Sequence, residues 1–263
     1  MEYQKYIEGR KAVITCKNVC KEFDIRDRKQ AGSFRVIDDL SLSIYENEFV
    51  VLFGPGECGK TSAINILSGL DRPTAGSVFQ GDTQITRPGI ERGVVYQSIA
   101  LFPWLTVMGN VEFGPKARGI DRTQSRKRAQ ELINLVGLQG FENAFPISLS
   151  GGMRQRVGIA RAYANDPEVL FMDEPFGALD AQTRYMMEEE ILRIYEHEKR
   201  TVVFVTNNIE EAVFLADRII LLKSCPTSVK QEYIIDLERP RSYTAPRFLE
   251  IRQKITRDMD KAL

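Results

Sequence analysis

Apolar residues fall in short dense runs, separated by stretches where they recur every third or fourth position. The dense runs are Phe49-Val50-Val51-Leu52-Phe53, Val169-Leu170-Phe171-Met172, Thr201 to Val205 and Ile219 to Leu222. Each is the length of a strand and reads as one buried on both faces. Residues 12–22 and 35–45 read as strands with Val13, Ile14, Val19, Val36, Ile37, Leu40, Leu42 and Ile44, and the polar stretch Asp24 to Ser33 between them reads as an exposed loop. Gly76 to Ile85 reads as a strand and hairpin, and Gly93-Val94-Val95-Tyr96-Gln97 as a short buried strand. Helical spacing covers Ser62 to Gly69, residues 108–139, the stretch from Leu149 through Ala162, and Ile209 to Ala216. After Arg239-Pro240 the pattern predicts a linker and a short charged helix. Strands and helices alternate, which predicts an α/β domain.

The residues directly after the first dense run change the picture. Gly54-Pro55-Gly56-Glu57-Cys58-Gly59-Lys60-Thr61 fits G-x-x-x-x-G-K-[ST], the phosphate-binding loop, with a predicted strand before it and a helix after it. The N–H groups of such a loop and the helix N-terminus make an anion site. Lys60 would reach the β- and γ-phosphates, and the Thr61 hydroxyl would bind Mg²⁺.

Other stretches gain meaning beside it. Val169 to Met172 runs into Asp173-Glu174, so a buried strand delivers two acids at its C-terminal end, where α/β sheets place ligands. Asp173 suits Mg²⁺ and Glu174 suits polarising the attacking water. Leu149-Ser150-Gly151-Gly152 opens a helix with Ser150 as N-cap, a second anion-friendly terminus. Gln97, at a strand end, is either a loop residue or one facing a nucleotide. Phe23 is core on its surroundings alone, or a ring that stacks on a base. Phe102-Pro103-Trp104-Leu105-Thr106-Val107 gathers the only Trp with Phe and Leu around a Pro, an interaction surface if exposed and a subdomain seam if buried. The basic run Arg122 to Arg128 reads as a solvated helix face.

Composition narrows the classes. The chain has 263 residues, with Lys+Arg 36 against Asp+Glu 36, a balance that offers no nucleic-acid surface. No apolar run approaches the ~20 residues needed to cross a bilayer. Met1-Glu2-Tyr3-Gln4-Lys5 lacks the apolar core of a signal peptide, so a cytosolic chain is expected. The cysteines, Cys16, Cys20, Cys58 and Cys225, show no metal-ligand spacing. Cys16 and Cys20 read as small buried residues on one face of a strand. The single histidine, His197, lies in the charged stretch Tyr195 to Arg200 and reads as a solvated helix residue.

The phosphate loop, Gln97, the Leu149–Gln155 segment, the 169–174 strand and Ala178-Leu179-Asp180 stand in an order that resembles the ATPase subunit of an ABC transporter, over nearly the whole chain. Three segments, Leu101 to Val107, Phe176 to Arg184 and Glu211 to Arg218, and the tail Asp236 to Arg241, look like the nitrate/sulfonate/taurine importer branch. The resemblance implies a P-loop NTPase (RecA-like) α/β core with a mixed sheet and an inserted α-helical subdomain. Residues 1–97 and 165–223 would form the core with its β-subdomain, 98–164 the helical signature subdomain, and 224–263 a C-terminal tail. By the same likeness Phe23 stacks on adenine, Gly54 to Thr61 hold the phosphates, and Gln97 links the Mg²⁺ site to the membrane partner. Ser150, Gly151 and Gly152 contact ATP bound to the opposite subunit, Asp173 supports Mg²⁺, Glu174 is the catalytic base, and Asp180 crosses the dimer interface. Phe102 and Trp104 would help receive a membrane subunit's coupling helix.

The expected partners are ATP, Mg²⁺, a second ATPase subunit (identical, or different in a heterodimer), membrane permeases and, through them, a substrate-binding protein, with no nucleic acid. The expected place is the cytoplasmic face of the membrane, peripherally. The cargo would be a small anion. Two positions depart from the family pattern. Asn207 stands where members carry the switch histidine, followed by Asn208 for the usual Asp, and His197 precedes the adjacent strand and cannot substitute. Asn still donates a hydrogen bond, so slowed hydrolysis with ATP binding retained is expected. Gly56-Glu57 replaces Ser-Gly, and Glu57 is expected to point to solvent, away from the phosphates. The competing reading is an ATP-dependent regulatory clamp, or the degenerate half of a heterodimer, with negligible turnover. A ribosome- or DNA-acting relative would add a second ATPase domain or a coiled coil, and a GTPase would show Asn-Lys-x-Asp; neither is present.

Overall fold

The computed structural model describes residues 2–27, 30–98 and 100–260. They divide into two compact units, Met1–Gly89 with Thr201–Leu263, and Ile90–Arg200. In chain order the first unit holds α1 (Glu2–Ile7), β1 (Ala12–Asp27), β2 (Gln30–Tyr45), β3 (Phe49–Phe53), α2 (Lys60–Ser68), β4 (Ala75–Gln80) and β5 (Thr83–Gln84). The second holds β6 (Arg92–Val95), α3 (Val107–Ala117), α4 (Arg122–Leu135), α5 (Gly151–Ala164), β7 (Val169–Asp173) and α6 (Ala181–Glu198). The chain then returns to the first unit with β8 (Thr201–Thr206), α7 (Ile209–Leu215), β9 (Arg218–Leu222), β10 (Val229–Ile234) and α8 (Pro246–Asp260).

The dense apolar runs are the sheet centres. β3 pairs in parallel with β8 and with β9, and every residue of the three strands is buried. A strand covered on both faces has no polar side to show, hence the unbroken runs. β10 adds antiparallel to β9, so the sheet is mixed. A separate antiparallel sheet has the order β2-β1-β4-β5. α2 buries Ala63, Ile64, Ile66 and Leu67, and α7 buries Ala212, Val213, Phe214 and Leu215. α8 is held beside α7 by Arg252–Glu210 at 2.6 Å and by Tyr243, which stacks on Phe214 (4.5 Å between centroids) and meets the edge of buried Phe248 (5.3 Å).

In the second unit β6 and β7 pair in parallel. Their helices start at side-chain caps: Thr106 Oγ1 accepts from Gly109 N (3.1 Å) at α3, and Asp121 accepts from Thr123 N (2.8 Å) at α4. Such a cap satisfies a donor that the helix itself leaves open, worth roughly 1 kcal/mol. Val107, Met108 and Val111 of α3, Ala129, Leu132 and Ile133 of α4, and Val157, Ile159 and Ala160 of α5 are buried.

Several expectations change. Asp24 to Ser33 is no loop: β1 runs to Asp27 and β2 starts at Gln30, with Asp24 opposite Ser33, and residues 28 and 29 lie outside the described residues. Backbone ladder hydrogen bonds make strands here, whatever the polarity of the sequence. Phe23, opposite Phe34 in that hairpin, is 44 % exposed, so the core reading of it fails. The strand expected over 93–97 ends at Val95, its one buried residue, and Tyr96 and Gln97 lie exposed beyond it. Cys16 is buried, its thiol donating to Leu40 O and pushed up to about 12 by desolvation. Cys20 is only half-buried, because register shifts after Cys16 and Val19 break the alternation. In the basic run Arg122, Arg126 and Lys127 are exposed, but Ser125 is buried and Arg128 turns to Glu198 at 2.6 Å. β10, α1 and the full length of α6 have no counterpart among the predicted elements.

Candidate functional site

In the first unit the phosphate loop joins β3 to α2, as the motif requires. Gly59 is the N-cap of α2 at φ +95, where an L side chain is strained. Space forbids one too: a Cβ there would stand 2.7 Å from Thr227 Oγ1 and 2.8 Å from Val36 Cγ1. That wall is fixed by Thr227 N donating to Val36 O (2.7 Å) and Asp38 N to Thr227 O (2.9 Å). Lys60 is buried, and its ammonium donates to Pro55 O (2.7 Å) and Gly54 O (3.2 Å), folding the side chain over the loop. Cys58 is buried as well; desolvation raises its thiol pKa against the opposing charge of Lys60. Glu57 is exposed, at φ +59. Thr61 is exposed.

The loop's donor set fits a polyphosphate. α2 begins with no side-chain cap and no acid in its first turn, leaving its first N–H groups for an external anion. Phe23 stands in the β1–β2 hairpin with Lys21 Nζ 4.9 Å from its ring centroid. Asn207 is exposed directly after β8, and Asn208, not Asn207, caps α7, accepting from Glu210 N (2.9 Å) and Glu211 N (3.4 Å).

The second unit carries the remaining candidates. Asp173 is buried at the last position of β7. Glu174 follows, half-buried, at φ +41. A non-glycine residue held there is strained, and such strain gathers where a side chain must be aimed. Glu174 O accepts from Gly177 N (3.1 Å), closing a turn behind the carboxylate. Gln97 reaches this turn: its Nε2 lies 3.1 Å from where a Cβ of Gly177 would be. Tyr96, which the sequence pattern offers only as a strand residue, has its phenol raised by burial and by the charge of Asp173. Among the described residues no group of three or more His, Cys, Asp or Glu could hold a metal.

Ser150 caps α5, its Oγ accepting from Met153 N (3.2 Å). A Cβ at Gly152 would stand 3.1 Å from Thr183 Cγ2, so the start of α5 lies against the start of α6. Asp180 caps α6, accepting from Thr183 N (3.0 Å) and Thr183 Oγ1 (2.7 Å), and these bonds lower its pKa. Trp104 is 70 % exposed beside Phe102, which also packs on Phe113 (4.4 Å). Trp104 is therefore surface, while Val107 at the end of the segment is buried. The loop is pinned by buried Asn110, whose amide donates to Phe102 O, Leu105 O and Thr106 O and accepts from Phe102 N. Neither Asn110 nor the Thr227 wall carries a local signal that a motif search could find.

The chain is similar to known proteins over most of its length. A profile of the family described as ABC transporter matches residues 37–177. An uncharacterized ABC transporter ATP-binding protein of Methanocaldococcus jannaschii is 46% identical over 245 residues, 93% of this chain and 90% of that one. A taurine import ATP-binding protein, TauB, of Yersinia pestis bv. Antiqua is 47% identical over 193 residues, 73% of this chain and 76% of that one. Among solved structures, the dimeric form of MJ0796, described as a bacterial ABC transporter cassette, superposes with a TM-score of 0.73 at 33% identity, covering 86% of this chain and 100% of that one. The same cassette in a post-hydrolysis state with ADP and Pi gives 0.72 at 31% identity. With the phosphate loop, the acid-tipped β7 and the capped Ser-Gly-Gly helix all in place, the chain belongs to the ABC transporter family, as one of its ATP-binding proteins.

Proposed function

We propose that the chain is the ATP-hydrolysing subunit of an importer for a small anion of the nitrate, sulfonate or taurine kind, working as a homodimer on the cytoplasmic face of the membrane. The observation that carries the nucleotide part is the phosphate loop: an uncapped helix N-terminus, a buried lysine curled over the loop, and a glycine that nothing larger can replace. The likeness to TauB supports the importer branch and the class of cargo.

The roles follow from chemistry. Loop N–H groups and Lys60 bind the phosphates of ATP, and Phe23 offers a ring to the base. Glu174 accepts the proton of the attacking water, and its strained backbone aims the carboxylate. Mg²⁺, held by Thr61, Gln97 and Asp173, would neutralise charge on the β- and γ-phosphates. Ser150, Gly151 and Gly152 serve the γ-phosphate of ATP bound to the other copy, so each copy owns half of each site. Binding then closes the dimer and hydrolysis releases it. Phe102 and Trp104 meet the permease.

The test uses Glu174→Gln with MgATP. The expected result is a dimer with nucleotide retained, seen by light scattering and by nucleotide content. A variant that stays monomeric and empty overturns the reading. A second reading, a clamp with negligible turnover, is favoured by Asn207 in the switch position. Steady-state ATPase of the assembled transporter separates the two.

A further inference from the structure

The segment after β8 is tied into a closed ring of hydrogen bonds that passes over Asn207. The Thr206 hydroxyl donates to Glu211 Oε2 at 2.5 Å, and the same Oγ1 accepts from Asn208 N at 2.9 Å. Asn208 Oδ1 accepts from Glu211 N, which closes the ring through the first turn of α7. Thr206 and Glu211 are buried, at 2 % and 4 % exposure. A hydroxyl has one hydrogen. Asn208 N–H must donate to Thr206 Oγ1, so that single hydrogen goes to the carboxylate. The contact lies at the short end of the O–H···O range. Asn207 is the residue the ring spans without using its side chain, and it alone of Thr206, Asn207, Asn208 and Glu211 is exposed.

We infer that Glu211 and Thr206 are positioning residues for Asn207. They fix the peptide planes on both sides of it, so that its amide is held where a phosphate donor must sit. The inference rests on the reading of Asn207 as the hydrogen-bond donor in the switch position of the proposed ATPase, and deepens it. A short amide in place of a longer ring side chain leaves less reach, and a donor contributes to a transition state only while it is held in place. The buried ring supplies that hold from behind, where no nucleotide touches it.

Thr206→Val keeps the shape and β-branching of the buried side chain and removes both bonds of the hydroxyl; Thr206→Ser keeps the hydroxyl. In steady-state ATPase the expected result is a kcat at least tenfold lower for Thr206→Val, ATP affinity within twofold, and near wild-type turnover for Thr206→Ser. Glu211→Gln still offers an oxygen to the hydroxyl and should fall between them. In an Asn207→Ala background Thr206→Val should add less than a twofold further loss, because the residue it positions is gone. A purely structural role would give the same loss in both backgrounds, and that result overturns the inference. So does a Thr206→Val variant within twofold of wild type while Asn207→Ala is slow, which leaves the role of Asn207 standing. A wild type without turnover, or an Asn207→Ala variant as fast as wild type, removes the role of Asn207 and this inference with it.

Discussion

The buried ion cluster around Arg218 offers the sharpest test of what holds the first unit together. Arg218 and Glu48 are both fully buried. Arg218 Nη2 donates to Glu48 Oε1 (2.6 Å) and Nε to Oε2 (3.1 Å), while Nη1 reaches Glu232 (2.7 Å) and Nη2 also reaches Ser43 O (2.6 Å). Glu48 accepts two further bonds, from Tyr45 N to Oε1 (2.7 Å) and from Tyr6 OH to Oε2 (3.0 Å). Burial works against the arginine's charge, but the bonds and charge of Glu48 outweigh it and raise its pKa. Burial and the same carboxylate push the Tyr6 phenol up. Glu48→Gln keeps the volume, yet a glutamine has one oxygen and one NH₂. With its NH₂ at the Oε1 position it opposes Arg218 Nη2 and Tyr45 N; turned the other way it opposes Arg218 Nε, while the Tyr6 hydroxyl can rotate to accept from it. Each orphaned donor costs about 1–3 kcal/mol, and breaking a buried pair from one side costs ~3–5 kcal/mol in all. For a chain of this size that lowers Tm by roughly 6–20 °C, at about 2–4 °C per kcal/mol. Calorimetry measures it. Glu48→Gln with Arg218→Met should regain part of the loss, since the stranded charge goes too. A drop for Glu48→Gln of less than about 2 °C, or a double variant worse than the single one, refutes the reasoning.

Asn207→His is expected to raise steady-state turnover by about tenfold or more, because it adds reach and a donor near the γ-phosphate; an unchanged rate counts against the switch reading. Gly59→Ala should abolish fluorescent-nucleotide binding while the protein remains folded by circular dichroism, since a methyl there meets Thr227 and Val36 and α2 must shift; wild-type affinity would show that the cradle tolerates the movement. Trp104→Ala should leave stability within about 0.5 kcal/mol and nucleotide affinity unchanged, as the ring is 70 % exposed, and should lower transport per ATP hydrolysed; a large Tm loss would place the ring in a core instead.

What was legible in the sequence was what the backbone does locally. Four strands announce themselves as unbroken apolar runs because both faces are covered, and the acids at the end of β7 follow from where such a strand stops. The phosphate loop was legible for a stricter reason. Gly59 needs a positive φ and has no room for a side chain, so the fold writes its demand as one letter. Elements whose form comes from a distant partner left no such mark. β10 reads as a polar tail because its burial is set by pairing with β9 and its residues are mostly half-exposed. Asp24 to Ser33, beyond Phe23, is mostly polar in sequence, so its composition is that of a loop. Glu48 and Arg218 lie 170 residues apart, and either alone is an ordinary surface charge in the sequence. Thr206 and Glu211 are only five apart, yet an i, i+5 spacing across a strand end and a helix start belongs to no periodic pattern, so their bond was invisible too. Side chains that act on the phosphates are confined by chemistry to a few residue types and therefore form motifs. The residues that aim them need only a bond of suitable length, which many side chains could make, so they appear only when the chain is folded.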